Sequence, residues 1–224
     1  MTTDRLTDRL RRAAEPIWRA QHDHPFVRAI GAGTVDREQF KLWVRQDYLF
    51  LKEYARLFAL AAARAADLET MRAFSRLAQE TLETEMSLHR AYAAEFGIGE
   101  ADLEAEQKAP ATQAYTDFLL RMATLGDFAE LVAALLPCMW GFSEIGLALK
   151  QRGLPADPLC ARWVEMYASP EFAGLAAWCR DLLDRLAQGL DEPARRRLEA
   201  AFLTSSRYEL RFWDMAASEE SWGV

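Results

Sequence analysis

Cys138 follows a proline inside LLPCMWGFSEIG, residues 135–146, a run apolar enough to be a buried helix. An interior proline costs a helix about 3 kcal/mol or more, because one hydrogen bond is lost and the ring clashes with the carbonyl four residues back. Here that carbonyl belongs to Ala133. Helix defects recur at functional sites, so the proline marks Cys138 as a functional candidate. Cys160 and Cys179 lack such a setting and read as small core hydrophobes.

Three carboxylates stand out. Asp47, in WVRQDYLF, shares one helical face with Trp43, Phe50 and Tyr54 at three- and four-residue spacings. A carboxylate on an aromatic face is either a hydrogen-bonded structural group or a ligand for something flat and polar. Glu209, in SSRYELRFWDMA, lies three residues before Phe212 and four before Trp213. Burial there would raise its pKa, which suits a general acid or base, while a salt bridge to an arginine is the structural alternative. Glu85 and His89 form an ExxxH pair, which raises the question of a metal. A di-iron bundle site asks for four carboxylates and two Glu-x-x-His pairs. The chain has only three histidines, and His22 and His24 sit at a helix end beside Pro25. An internal ion pair or hydrogen bond is therefore the expectation for His89, with no metal and no cofactor. No Gly-rich phosphate loop and no GxSxG motif occurs.

The elements that must position these residues are helices throughout. Helical periodicity covers 4–20, and HDHPFVRAIGAGT then interrupts it with proline and glycines. Thr34, with Asp36 and Glu38 after it, reads as an N-cap with an acidic first turn, opening a helix over 36–66. Asp67 opens the next, over 67–96, ended by Gly97. Further helices fit 110–124, 127–150, 158–167, 171–188 and 192–216, punctuated by Gly126, Gly153, Pro155, Pro170 and Gly189. No stretch alternates with period two and no repeat or linker appears. The expectation is an all-α fold, one domain over 1–224.

Composition narrows the partners. Lys and Arg number 27 against 34 Asp and Glu, a net charge of −7, which argues against a nucleic-acid or anionic-membrane surface. The odd cysteine count without CxxC spacing speaks for a reducing compartment. The charged N-terminus shows no signal peptide, and no uninterrupted apolar run nears about 18 residues. These features predict a cytoplasmic protein. The helices over 36–66 and 67–96 are apolar enough to predict a homo-oligomer.

Taken together, the motifs HPF at 24–26, QDYLF at 46–50, AYTDFL at 114–119, LLPCMW at 135–140, MYASPEF at 166–172 and SSRYELRFWDMA at 205–216 resemble the TenA/thiaminase II family. That family is the aminopyrimidine-hydrolysing branch of the haem-oxygenase-like fold, a multi-helix bundle. The motifs run in order along nearly the whole chain, and the cysteine at 138 resembles the thiaminase II type. The resemblance implies a nucleophile at Cys138 and an acid at Glu209. It also implies a pyrimidine-binding carboxylate at Asp47 and aromatic pocket residues at Phe50, Tyr115, Phe142 and Tyr167. Phe50 and Phe142 stand where characterised members can carry tyrosine, keeping the stacking and losing both hydroxyls.

Those residues define a chemistry. A carboxylate complements the amidine edge of an aminopyrimidine whose ring nitrogen is protonated. Aromatic rings would sandwich the heterocycle. Attack by Cys138 at the carbon bearing the amine gives an adduct that loses ammonia, and water hydrolyses the covalent intermediate. Nearby carboxylates raise a thiol pKa, so the proton leaves during attack rather than before it. The implied activity is an aminopyrimidine hydrolase of thiamin salvage, a homotetramer acting on a thiamin-related small molecule. The alternative is a non-catalytic pyrimidine-binding or regulatory protein of the same fold. A third reading, an oxygenase or cofactor-synthesis enzyme, would need a metal or a histidine-rich pocket.

Overall fold

The computed structural model describes residues 5–223, in which twelve α-helices and one π-helical turn account for all regular structure. The all-α expectation holds over the described residues. Asp4, where the first helix was expected to begin, lies outside them. Helices α1 (Leu6–Ala13) and α2 (Glu15–His22) replace the single helix expected over 4–20. Pro16 is the cause: it sits in the first turn of α2, where its missing N–H is harmless, and could not continue α1. The segment expected to be irregular contains α3 (Pro25–Ala32). His24 caps it, Nδ1 accepting from the Phe26 amide at 3.2 Å, and Gly33 ends it at φ 70°.

The long α4 (Arg37–Arg64) is capped by Asp36 and not by Thr34; the Asp36 carboxylate accepts from the amides of Glu38 and Gln39. Asp67 caps α5 (Leu68–Glu80) as its position predicts, accepting from Thr70. The helix expected to run on to 96 does not stay regular. A π turn, Thr81–Glu85, precedes α6 (Met86–Glu95), which Gly97 terminates at φ 73°. One inserted residue rotates everything after it by about a quarter turn. Next come α7 (Glu100–Ala105), absent from the sequence expectation, and α8 (Pro110–Leu125). Then follow α9 (Phe128–Gln151), α10 (Pro158–Tyr167), α11 (Pro170–Leu186) and α12 (Glu192–Ser218).

Contacts group the chain into two compact units. The first comprises residues up to Val35 and Ala129–Trp213, thus α1–α3, nearly all of α9, α10, α11 and most of α12. Its axis is α9, which by length and a mean hydropathy of 1.6 over 18 residues would pass for a membrane span, yet 83% of that window is buried within the fold. Arg11 on α1 binds Glu144 on α9, and Trp18 packs between Trp140 and Phe202 at 5.1 and 5.9 Å while donating to Ser206 Oγ at 3.0 Å. Gly146 lets α10 approach closely: a Cβ there would lie 2.6 Å from the Tyr167 carbonyl carbon.

The second unit comprises Asp36–Phe128 and the end of the chain from Asp214. Its frame is α4, against which α5, the π turn, α6 and α8 all pack. Gln46 on α4 fixes the approach to α8, donating to the Gln107 carbonyl at 2.9 Å and accepting from the Ala109 amide at 2.8 Å. Arg64 binds the carbonyls of Ala123 and Gly126 at the other end of α8. Past α12 the chain returns to the α8 N-terminus, where Glu220 accepts from the Ala111 amide and Trp222 donates to the Lys108 carbonyl.

Candidate active site

Pro137 and Cys138 lie in the middle of α9. From Leu131 to Ser143 every residue is buried except Cys138, which keeps accessible surface. Cys138 is thus a partly accessible thiol amid a buried apolar run, a setting that a reactive cysteine requires. The other cysteines contrast with it. Cys160 is fully buried behind the Asp157 cap of α10. Cys179 is fully buried, its Sγ 3.6 Å from Met139 Sδ, and burial pushes its thiol far above the ordinary range. None of the three is in a disulfide.

Phe142, one turn beyond Cys138, belongs to a cluster of rings. Its centroid is 4.8 Å from Tyr167 and 5.0 Å from Trp213, and Tyr167 stands 4.7 Å from Trp163. Glu209 lies one turn before Trp213 on α12 and is 2% exposed. The first unit thus gathers Phe142 and Tyr167 about the Trp163–Trp213 pair, with Cys138 one turn before Phe142 on α9 and Glu209 one turn before Trp213 on α12.

The second unit gathers the other three. Trp43, Asp47, Phe50 and Tyr54 are all buried along one face of α4. Phe50 packs on Tyr54 at 5.2 Å and on Tyr115 of α8 at 5.1 Å.

Asp47 also has a partner that sequence spacing did not suggest. His89 Nε2 stands 2.6 Å from Asp47 Oδ2, with the imidazole fully buried and the carboxylate nearly so. The other ring nitrogen, Nδ1, is 2.9 Å from the backbone carbonyl of Glu85. Both nitrogens therefore face oxygens that can only accept. A neutral imidazole carries one N–H and would set a lone pair against one of them; an imidazolium turns a donor toward both. Burial pushes the His89 pKa down, and the Asp47 charge and the Glu85 carbonyl push it up by more, so the net direction is up. The Nε2–H does not point squarely at the oxygen, which makes the contact a short ion pair rather than an aligned hydrogen bond. The ExxxH spacing thus works through the backbone of Glu85. Among the described residues no three His, Cys, Asp or Glu side chains gather as a metal site would need.

This helical scaffold has known relatives. The TENA/THI-4/PQQC family model matches residues 11–219, and the chain belongs to that family. An aminopyrimidine aminohydrolase of Halalkalibacterium halodurans is 47% identical over 93% of this chain and 94% of its own. One from Helicobacter pylori is 37% identical over 91% and 94%. Among solved structures, a TenA homologue from P. horikoshii OT3 superposes with a TM-score of 0.88 at 31% identity, covering 95% of this chain and 98% of that one. A domain with a heme oxygenase-like fold from Shewanella denitrificans, at 16% identity, covers 98% of this chain and 94% of its own with a TM-score of 0.74, and shows the shared fold.

Proposed function

We propose that the chain is an aminopyrimidine aminohydrolase that releases ammonia in thiamin salvage by cysteine nucleophilic catalysis. The observation that carries this reading is the 47% identity, over nearly the full length of both chains, to a relative named for that activity. Cys138, accessible within a buried helix, supports it.

Cys138 attacks the pyrimidine carbon that bears the amine, and its proton passes to substrate or carboxylate as the C–S bond forms. Glu209 protonates the departing amine, which leaves as ammonia. Water then displaces the sulfur, restoring the thiol, so that one amine and one water become one hydroxyl product and one ammonia. Asp47 binds the heterocycle's exocyclic N–H, and Phe50, Tyr115, Phe142 and Tyr167 hold the ring. With phenylalanine at 50 and 142, stacking does the holding at those positions and no hydroxyl assists there.

We read the chain as one cytoplasmic domain, supported by a family match that includes segments of both units. The homotetramer reading is supported by Leu68, Met71, Leu82 and Leu125, which stand exposed on the second unit. Light scattering that returns 25.5 kDa would overturn it. A regulatory role is the second reading, favoured by a solved structure at 32% identity described as a TenA family transcription regulator, from Silicibacter. Ammonia release assayed over a panel of aminopyrimidines with EDTA present separates the two. Turnover of at least one of them is expected, and no release from any would overturn the hydrolase reading.

A further inference from the structure

We infer that His89 is a positioning residue for pyrimidine binding: it holds the Asp47 carboxylate in one orientation, so that the second oxygen is left to take the exocyclic N–H of an aminopyrimidine. This rests on the hydrolase reading above. Four observations support it. The two side chains meet at 2.6 Å with 0% and 4% of their surfaces exposed, so water does not substitute for either partner. The imidazole is anchored at its far nitrogen by the Glu85 carbonyl, which fixes the ring and keeps Nε2 beside Asp47. Trp43 and Tyr92 pack against that ring at 5.3 and 6.1 Å, so it has no room to turn. Finally, no other hydrogen bond or ion pair reaches Asp47 from the described residues.

The backbone is built to make this contact. The π turn Thr81–Glu85 ends one turn before His89 and resets the phase of α6. π turns interrupt helices where a side chain must point off the regular register. Without a donor at His89, a carboxylate on the face of α4 shared by Trp43, Phe50 and Tyr54 would have no partner to fix its rotamer, and it would turn away. The substrate would then meet nothing where it needs an acceptor.

Two variants of equal polarity test this. His89→Gln places its amide N–H near the Nε2 position and still reaches Asp47. His89→Asn places it near Nδ1, facing Glu85, and falls short of Asp47. Binding of 4-aminopyrimidine is measured by calorimetry on folded protein, with ammonia-release kinetics alongside. His89→Gln is expected within about threefold of wild type, whereas His89→Asn weakens binding and raises KM at least tenfold with a smaller change in kcat. In an Asp47→Asn background, His89→Asn is expected to add less than twofold, because its effect runs through the carboxylate. Equal binding by His89→Asn and wild type overturns the inference, and so does an undiminished loss in the Asp47→Asn background. If His89→Asn does not fold, a tenfold loss in His89→Gln overturns it, while retained binding there supports it. Wild type that neither binds 4-aminopyrimidine nor releases ammonia overturns the hydrolase reading itself, a result distinct from the failures above.

Discussion

The two units each carry half of the candidate chemistry, and they carry it under opposite conditions of exposure. In the second unit Asp47 is nearly closed off from solvent and paired with the buried His89. In the first unit Cys138 keeps accessible surface and shares its helix face with aromatic rings. One region encloses a fixed pair, the other leaves a thiol partly accessible. In sequence each region has an irregular feature just ahead of its key side chain: Pro137 before Cys138 within the unbroken α9, and the π turn before His89. Of the two, the π turn changes which side chains share a face, because it inserts a residue into the register.

The sharpest way to break the contrast is Cys138→Ser. It leaves the ring cluster in place and removes the nucleophile, so turnover should fall on the order of a thousandfold or more while 4-aminopyrimidine still binds. Wild-type turnover from that variant would exclude the covalent route. Asp47→Asn tests the other region, since an amide turns one acceptor into a donor beside His89 and leaves a buried mismatch of about 1–3 kcal/mol. Binding should weaken tenfold or more, and calorimetry showing unchanged affinity would make Asp47 structural.

Gly146→Ala probes how tightly the first unit's rings are held. The added Cβ meets backbone atoms of Tyr167 and Ala168 at 2.6 and 2.8 Å, which cannot yield as a side-chain tip would. A cost of about 1–3 kcal/mol is expected, read as a melting temperature lowered by several degrees. An unchanged melting curve would mean that α10 is free to shift.

The smallest effect is a pH slope. Because His89 titrates higher in the folded chain than its ordinary value, the folded state holds a proton that the unfolded state releases above about pH 6.5. The pair's stabilisation is therefore complete below that pH and is lost as pH rises through the raised folded value. Denaturant titrations from pH 6 to pH 9 should show wild type losing stability that His89→Gln does not lose. Parallel profiles would deny the imidazolium.

Much of this was legible in the sequence because local rules decide it. Asp67 and Gly97 announce helix ends through side-chain capping and a left-handed backbone, and both sit where those rules put them. Thr34 misled because Asp36, two residues on, is an equally good cap and the chain used it. The helix Pro25–Ala32 was hidden by its proline and glycines, which mark its two ends and not a loop. The π turn leaves no trace in composition, since one extra residue alters phase and nothing else. The Asp47–His89 pair was missed because the spacing rules applied to His89 looked along its own helix. A signal did exist: the two residues lie at comparable distances either side of the 65–67 turn, so a hairpin of α4 with α5 and α6 brings them level.

The unequal burial of the three cysteines also supplies a way of counting. Cys160 and Cys179 are sealed from solvent, and Cys179 is held besides as a poor nucleophile, while Cys138 is open. A small alkylating reagent applied to folded protein should therefore consume one thiol per chain, and three after denaturation. The first number reports the fraction of a preparation whose reactive centre is intact, so rates from different variants can be placed on a common per-site scale without assuming that every molecule in the tube is competent.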